Sequence, residues 1–271
     1  MRAAFGHRAL CCWLGLLLIG LGLTKPARGD EPAYDLVIHN GRLVDGTGNP
    51  WIYGDVAIRG DRIVAVGRVP AGRAQREIDA RGLVVAPGFI DMHSHSDFLL
   101  LEDGDGQSKI RQGVTTEILG EGPSAGPYLG KLAPKRITVA GKERAWSRLG
   151  EYFDLLDESG SSLNVASYVG LDNIWQSVMG TSFARPTDEQ FAEMRKLLDE
   201  AMREGAIGLS CMLATPPGSL ATTDDLVMLC KVIAPYGGVF STHSRNEGTG
   251  VFDAVREAIE IGERAGVRVD V

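Results

Sequence analysis

Two histidines separated by one residue are the feature of this sequence that most directly predicts chemistry. His93 and His95 follow an apolar run, residues 83–92, and in extended backbone two residues with this spacing point to the same side. Imidazole suits zinc and similar divalent ions, and two converging rings with a carboxylate or a further histidine leave coordination positions open for water. The alternative is that the two histidines lie at the end of a strand and bind no metal.

The run that precedes the pair predicts where the two rings lie. Residues 84–91 read Val-Val-Ala-Pro-Gly-Phe-Ile-Asp, a nearly continuous apolar stretch typical of a strand buried on both faces. Polar residues arrive only at its carboxyl end, which in a parallel barrel is the face of the active site. If the strand continues, Asp97 shares the face of His95 and is expected to orient an imidazole from behind the metal ligands.

After His95, apolar runs alternate with helical patterns. The runs that predict strands are residues 114–119, 163–169, 207–209, 239–242 and 267–271. Repeated units of this size predict an α/β fold, an incomplete TIM-type (β/α)8 barrel with about six of its eight strands, counting residues 88–93 as the first. Because the chain stops inside an apparent strand, we expect a fragment of a longer protein.

Capping residues delimit the predicted helices. Thr187 opens one helix with Gln190 at the reciprocal position, and Thr222 opens another with Asp225. A third helix runs over residues 251–265 and stops at a glycine. Its residues expected to be buried are Val255, Ala258 and Ile259.

The residues before the barrel predict two further segments. Residues 30–85 alternate apolar and polar positions between turn signals and predict hairpins, with His39 as an ordinary sheet residue. Residues 1–29 predict a secretory signal peptide, because two arginines precede an apolar block, residues 9–23. That block is shorter than the ~20 residues of a membrane span, so cleavage is favoured over an uncleaved anchor. We therefore expect a secreted or periplasmic protein without stable membrane insertion.

Charge and cysteine content narrow the range of partners. The formal net charge is -7, and removal of residues 1–29 would take away four basic and no acidic residues, which makes it -11. An acidic surface argues against nucleic acid as a partner. Cys211 and Cys230 remain after cleavage; they could pair in an oxidising compartment, but Cys230 lies in a helical pattern and both are expected to be buried free thiols.

Residues 86–97, Ala-Pro-Gly-Phe-Ile-Asp-Met-His-Ser-His-Ser-Asp, resemble the first barrel strand of the amidohydrolase superfamily and in particular its D-aminoacylase branch. The resemblance extends over residues 34–271, where residues 204–210 and 216–222 fit the fourth strand and the loop after it. It implies that the barrel occupies residues 86–271 and that the segment before it forms part of a small β-sandwich.

The resemblance also implies a set of metal ligands. A histidine at the end of the fifth strand, here His243, binds the metal in this family, and a further histidine on the sixth strand would lie beyond Val271. D-aminoacylases read Gly-Asn-Cys-Gly after the second strand with the cysteine as a ligand, whereas residues 120–122 read Gly-Glu-Gly. We expect Glu121 to replace that cysteine, since a carboxylate can bridge metal ions. A loop carboxylate that faces solvent is the alternative.

These residues together predict a zinc-dependent hydrolase of amide C–N bonds, most simply of N-acyl-D-amino acids. One or two zinc ions would lower the pKa of a bound water toward ~7 and polarise the amide carbonyl. The expected metal ligands are His93, His95, Glu121 and His243. The general acid/base of the family is an aspartate on the eighth strand, beyond Val271, so no residue of this chain is assigned that role.

Substrate recognition is less determined by the sequence. Arg245 and Asn246 follow His243 and could hold a substrate carboxylate, because guanidinium offers a planar donor fork; an ordinary salt bridge at the rim is the alternative. Thr215 stands where family members often have a tyrosine, which leaves a cyclic amide or imide open as the substrate. A catalytically inactive barrel is the third reading, and this chain by itself is expected to be inactive.

Overall fold

The computed structural model describes residues 32–271, which divide into two compact units, residues 32–87 and 88–271. The predicted signal peptide, residues 1–29, lies outside the described residues and stays a prediction. Within the described part of the chain, no helix is both long and apolar enough to cross a membrane.

The first unit is one mixed β-sheet. Its strands are β1 (Tyr34–Leu43), β2 (Ile52–Arg59), β3 (Arg62–Gly67), β4 (Ala74–Asp79) and β5 (Val84–Val85). The order across the sheet is β3-β2-β1-β4, with β5 also paired to β1. Strands β1, β2 and β3 are antiparallel neighbours, as hairpins require, whereas β4 and β5 run parallel to β1. Residues 34–85 form this one sheet, with His39 on β1, and the expected β-sandwich stays a prediction.

The second unit alternates strands with helices. Its first elements are β6 (Phe89–Asp91), α1 (Leu99–Glu102), α2 (Gln107–Ile110), β7 (Val114–Leu119), β8 (Lys135–Val139), β9 (Lys142–Trp146), α3 (Leu149–Ser159), β10 (Asn164–Ser167) and β11 (Val169–Gly170). They are followed by α4 (Leu171–Met179), α5 (Asp188–Arg203), β12 (Gly208–Met212), α6 (Thr223–Ile233), β13 (Val239–His243), α7 (Val251–Ala265) and β14 (Arg268–Asp270).

The parallel strands of this unit follow one another in sequence order, as in a (β/α)8 barrel. Strand β7 pairs with β6 and β10, and β11, β12, β13 and β14 pair in that order. Only Tyr168 separates β10 from β11, so these two segments occupy one strand position and the unit has six. The predicted α/β barrel with about six strand positions is confirmed, and parallel order brings all the carboxyl ends to one face.

Residues 84–91 do not form one buried strand, contrary to the expectation. Val84 and Val85 pair with β1, and β6 begins only after Pro87 and Gly88. Proline has no N–H to give to a ladder, so it interrupts the run. Phe89 and Ile90 are 63% and 57% exposed, because among the described residues β6 has a strand partner on one edge only.

The apolar face of α7 also differs from the expectation. Val255 and Ile259 are 36% and 53% exposed, although Ala258 is buried. The residues that α7 buries are Ala254, Ala258, Ile261, Gly262 and Ala265. Two apolar stripes overlap on this helix, and periodicity alone does not select the one that faces the core.

The remaining expectations about helices and cysteines agree with the structure. Helix α5 begins after Thr187, helix α6 begins after Thr222, and both caps have the reciprocal side-chain bond that the sequence predicts. Cys211 and Cys230 are buried free thiols, and burial raises the pKa of Cys211 to about 12.

The cap of α5 gives a test of this local reading. Thr187 Oγ1 accepts a hydrogen bond from Gln190 N at 3.3 Å. We expect Thr187→Ala to lower the free energy of unfolding by about 1 kcal/mol, because an N–H at the helix start loses its acceptor. Thr187→Ser keeps the hydroxyl and should restore most of that stability in urea denaturation. An equal loss in both variants would contradict a role for the cap.

Candidate metal centre

Three imidazole rings meet at the face formed by the carboxyl ends of the strands. The ring centroids of His93 and His95, which follow β6, are 5.1 Å apart. The ring of His243, the last residue of β13, has its centroid 4.9 Å from that of His93. Both pairs are edge to face, with interplanar angles of 78° and 86°. Parallel strand order has therefore brought distant histidines together.

The first two histidines lie beyond the end of β6 rather than on it. The strand ends at Asp91 and the chain bends at residues 92–93, but Ser94 N donates to Ile118 O at 3.0 Å, so Ser94 is still held beside β7. Ser94 is buried, whereas His93 and His95 on either side of it are exposed.

Glu121 is buried at the same face, not solvent-facing. It is 2% exposed and follows β7, and Ser241 Oγ donates to its two carboxylate oxygens at 3.0 and 2.9 Å. Burial raises the pKa of Glu121, while the bond from Ser241 and the nearby His243 oppose that shift. A buried carboxylate beside imidazoles has the donor chemistry that a divalent cation prefers.

The glycines on either side of Glu121 have conformations that other residues rarely adopt. Gly120 and Gly122 have φ angles of 79° and 87°. A Cβ on Gly122 would lie 2.9 Å from Met212 Sδ, so a cysteine at this position would be strained by both the backbone and a neighbour. Ser210 holds the loop, since its Oγ donates to Gly120 O and accepts from Gly122 N.

One cavity joins three of the four metal-binding candidates, and His95 is not among its lining residues. Its volume is about 340 Å3, and its lining includes His93, Glu121, Ser241, His243 and Asp270. In residues 32–271, no three His, Cys, Asp or Glu side chains are already closed around one point as a bound ion would need. The donor types nevertheless fit zinc, and ring centroids about 5 Å apart are within the span of two ~2 Å bonds and the rings themselves after side-chain rotation.

Asp97 does not have the position that a continued strand would give it. The chain turns at residues 97–98, and the hydroxyl of Tyr152 donates to the backbone oxygen of Asp97 at 2.5 Å. Its carboxylate Oδ1 has no hydrogen-bond partner among the described residues, so the predicted bond to an imidazole is absent there. Burial raises the pKa of Asp97 to about 6, and His95 opposes that shift.

The two residues predicted to hold a substrate carboxylate are engaged in the fold. Arg245 Nε and Nη2 each donate to a carboxylate oxygen of Glu257 at 2.9 Å, and Nη2 also donates to Ala221 O. This is the salt bridge that the sequence left as the alternative. Asn246 Oδ1 accepts from the N–H groups of Gly248 and Gly250, so it shapes the loop that leads into α7. Neither side chain is among those lining the cavity.

Sequence reasoning missed the buried polar residues that contact the candidate ligands or the segments that carry them. Ser241 and Ser210 lie on β13 and β12, and Glu117 lies on β7 with no exposed surface. Their signal in the sequence is a polar residue within a strand, which does not reveal its partner. Asp172, in the first turn of α4, was also missed; its Oδ1 has no partner among the described residues, and burial raises its pKa to about 6.

Comparison with known proteins places this architecture among related sequences and structures. Residues 76–265 match the profile of the amidohydrolase family. The chain is 37% identical to a D-aminoacylase of Alcaligenes xylosoxydans xylosoxydans over 246 residues, which are 90% of this chain and 51% of that protein. The chain thus spans about half the length of the curated relatives it matches.

Two solved structures share the fold. N-acyl-D-glutamate deacylase from Bordetella bronchiseptica, solved with zinc and a phosphonate inhibitor, superposes with a TM-score of 0.80 at 36% identity, over 88% of this chain and 51% of that one. A D-aminoacylase described with a binuclear metal centre gives a TM-score of 0.78 at 35% identity, over 87% and 50%.

The Ser241 to Glu121 bond can be tested by stability. We expect Ser241→Ala to lower the free energy of unfolding at pH 8 by about 1 to 3 kcal/mol, because a buried carboxylate loses its donor. The pKa of Glu121 should rise further in this variant, as followed by carbon NMR of the glutamate side chains. In a Glu121→Ala background the same substitution should cost less than about 0.5 kcal/mol. An undiminished cost there would show that the bond is not responsible.

The raised pKa of Asp172 predicts that the stability of the parent protein depends on pH more than that of an Asp172→Asn variant. Its pKa is about 6 in the folded chain against 3.8 as the ordinary value, so the folded state binds more protons between these values and its stability falls as the pH rises through them. Relative to the parent, Asp172→Asn should gain about 2 to 3 kcal/mol between pH 3.5 and pH 7.5 in denaturant titrations. The same difference at both pH values would show that Asp172 ionises normally.

Proposed function

This chain belongs to the amidohydrolase family, and we propose that it carries the metal-binding part of a zinc-dependent hydrolase that cleaves the linear amide bond of N-acyl-D-amino acids. The observation that supports this most is the cavity where His93, Glu121 and His243 meet, with His95 beside them. The relatives add the substrate class, since they include deacylases of N-acyl-D-amino acids.

Four residues of the site would bind metal, and a fifth orients one of them. His93, His95, Glu121 and His243 would hold one or two zinc ions, which supply a Lewis acid that polarises the amide carbonyl and lowers the pKa of water. Ser241 fixes the carboxylate of Glu121 through its hydroxyl. The cavity of about 340 Å3 has room for a small amide beside these residues.

The overall reaction adds water across the amide bond. The water oxygen joins the acyl carbon, the C–N bond breaks, and the products are a carboxylate and an amine. The proton that the leaving nitrogen needs is expected to come from a general acid; the family resemblance puts this group on an eighth strand, and no residue of this chain is assigned to it. We also propose that the protein acts outside the cytoplasm. The only ground for this is that residues 1–29 have the sequence pattern of a secretory signal peptide.

Metal analysis combined with a substrate screen tests this function. The parent protein, supplied with zinc, should hold at least one ion per chain by elemental analysis. We expect His243→Ala and Glu121→Ala to weaken zinc binding more than about 100-fold. Loss of a metal ligand lowers metal affinity more than loss of a residue that only hydrogen-bonds to a ligand, which changes it about 10- to 100-fold. His39→Ala is the matched control: this histidine lies in the first unit, beside Asp55 and Glu77, and its loss should leave the zinc content unchanged.

The screen measures released amine from N-acyl-D-amino acids, N-acyl-L-amino acids and a cyclic imide, with the full-length protein. Amine from the D-substrates supports the proposal. Opening of the cyclic imide alone would replace it with the cyclic-amide alternative. A parent protein that binds no zinc and hydrolyses none of them would favour an inactive barrel.

A further inference from the structure

The side of the chain opposite to the two histidines contains an ionic network that the proposed function does not use. Its centre is Glu117 on β7, a carboxylate with no exposed surface. Burying a charge costs several kcal/mol unless it is paired and hydrogen-bonded, so the groups around this carboxylate are informative.

Glu117 binds the serines that alternate with the histidines. Its Oε1 accepts hydrogen bonds from Ser94 Oγ at 3.1 Å and from Ser96 Oγ at 3.3 Å. Ser94 is buried and Ser96 is half-buried, whereas His93 and His95 beside them are exposed, and His93 lines the cavity; holding the two serines inward therefore keeps the two imidazoles on the outer side. One carboxylate therefore fixes the residue between the two imidazoles and the residue after them.

Lys109 closes the network from α2. Its Nζ lies 3.1 Å from Glu117 Oε1 and also pairs with Asp91 Oδ2. Asp91, the last residue of β6, accepts a hydrogen bond from His93 N through its other oxygen at 3.3 Å. Asp91 and Glu117 thus hold the segment at its start and along its inner side, and Lys109 offsets their mutual repulsion.

The second oxygen of Glu117 shows that the burial of this carboxylate is costly. Oε2 is buried and has no hydrogen-bond partner within residues 32–271, and an unsatisfied buried oxygen is destabilising. The contacts of Oε1 with Lys109, Ser94 and Ser96 have to offset that cost, as hydrogen bonds to a charged acceptor are stronger than neutral ones.

We propose that Glu117 is a positioning residue: through Ser94 and Ser96 it holds His93 and His95 in the orientation in which both rings face one cation. The inference rests on the proposed metal site. It adds a carboxylate that does not line the cavity and acts through the residues next to the histidines. Groups behind metal ligands typically change metal affinity about 10- to 100-fold.

The test uses the double variant Ser94→Ala/Ser96→Ala, with Glu117→Gln as a second variant that preserves the shape of the side chain. Both should raise the zinc dissociation constant about 10- to 100-fold in a competition assay with a chelating dye. The metal-free proteins should also differ: we expect one set of imidazole nitrogen signals for His93 and His95 in NMR spectra of the parent, and broadened or split signals in the variants.

Exposed neighbours provide matched controls. Ser108→Ala on α2 and Glu102→Gln on α1 remove a hydroxyl and a charge from exposed positions of the helices between β6 and β7, and both should leave zinc affinity and the ring signals unchanged. Glu117→Gln should keep the apparent midpoint of thermal unfolding within a few degrees of the parent, so that weaker zinc binding does not reflect a damaged fold.

The outcomes separate this inference from the proposed function. Zinc affinity within about twofold of the parent in the double variant and in Glu117→Gln, with unchanged ring signals, would overturn the role of Glu117 while leaving the metal site in place. A parent that binds no zinc would overturn the proposed function instead, and the ring signals of the metal-free variants would then still decide whether Glu117 orders the histidines.

Discussion

Parallel pairing of successive strands is the constraint on which the site depends. Because β6, β7 and β13 run in the same direction, the residues at their carboxyl ends reach one face of the barrel sheet. His93, Glu121 and His243 are far apart in sequence and meet around one cavity for this reason. The helices between the strands bury the core that fixes this order.

Strand order brings the candidate ligands to one face, and polar residues inside the strands fix the orientation of individual side chains and loops there. Ser241 and Ser210 stand on β13 and β12, and they hold the carboxylate of Glu121 and the backbone of the loop that carries it. Glu117 has the corresponding place beneath the histidines of the first strand position. Each is buried, so each bond acts at low effective dielectric, where a hydrogen bond is strong and a missing partner is costly.

Sequence reasoning was accurate for features that neighbouring residues determine and less accurate for features that depend on packing between distant residues. Strands β7 and β13 and the cap at Thr187 were predicted closely, because local periodicity and capping determine them. The β8–β9 hairpin was missed: its turn at Ala140 and Gly141, both with positive φ, lacks the usual Asn-Gly signal. The buried face of α7 was only partly right, since the helix offers two apolar stripes and packing chooses between them.

By itself, the sequence determined the α/β barrel and singled out the two histidine segments and Glu121 as candidate metal ligands, because these depend on local pattern and on resemblance. Only the tertiary structure decided that Arg245 pairs with Glu257, that Asp97 turns away from a continued strand, and that Glu117 lies behind the histidines. These are contacts between residues distant in sequence, and the energy of a charged side chain depends on which partner the fold brings to it. No spacing along the chain encodes that partner.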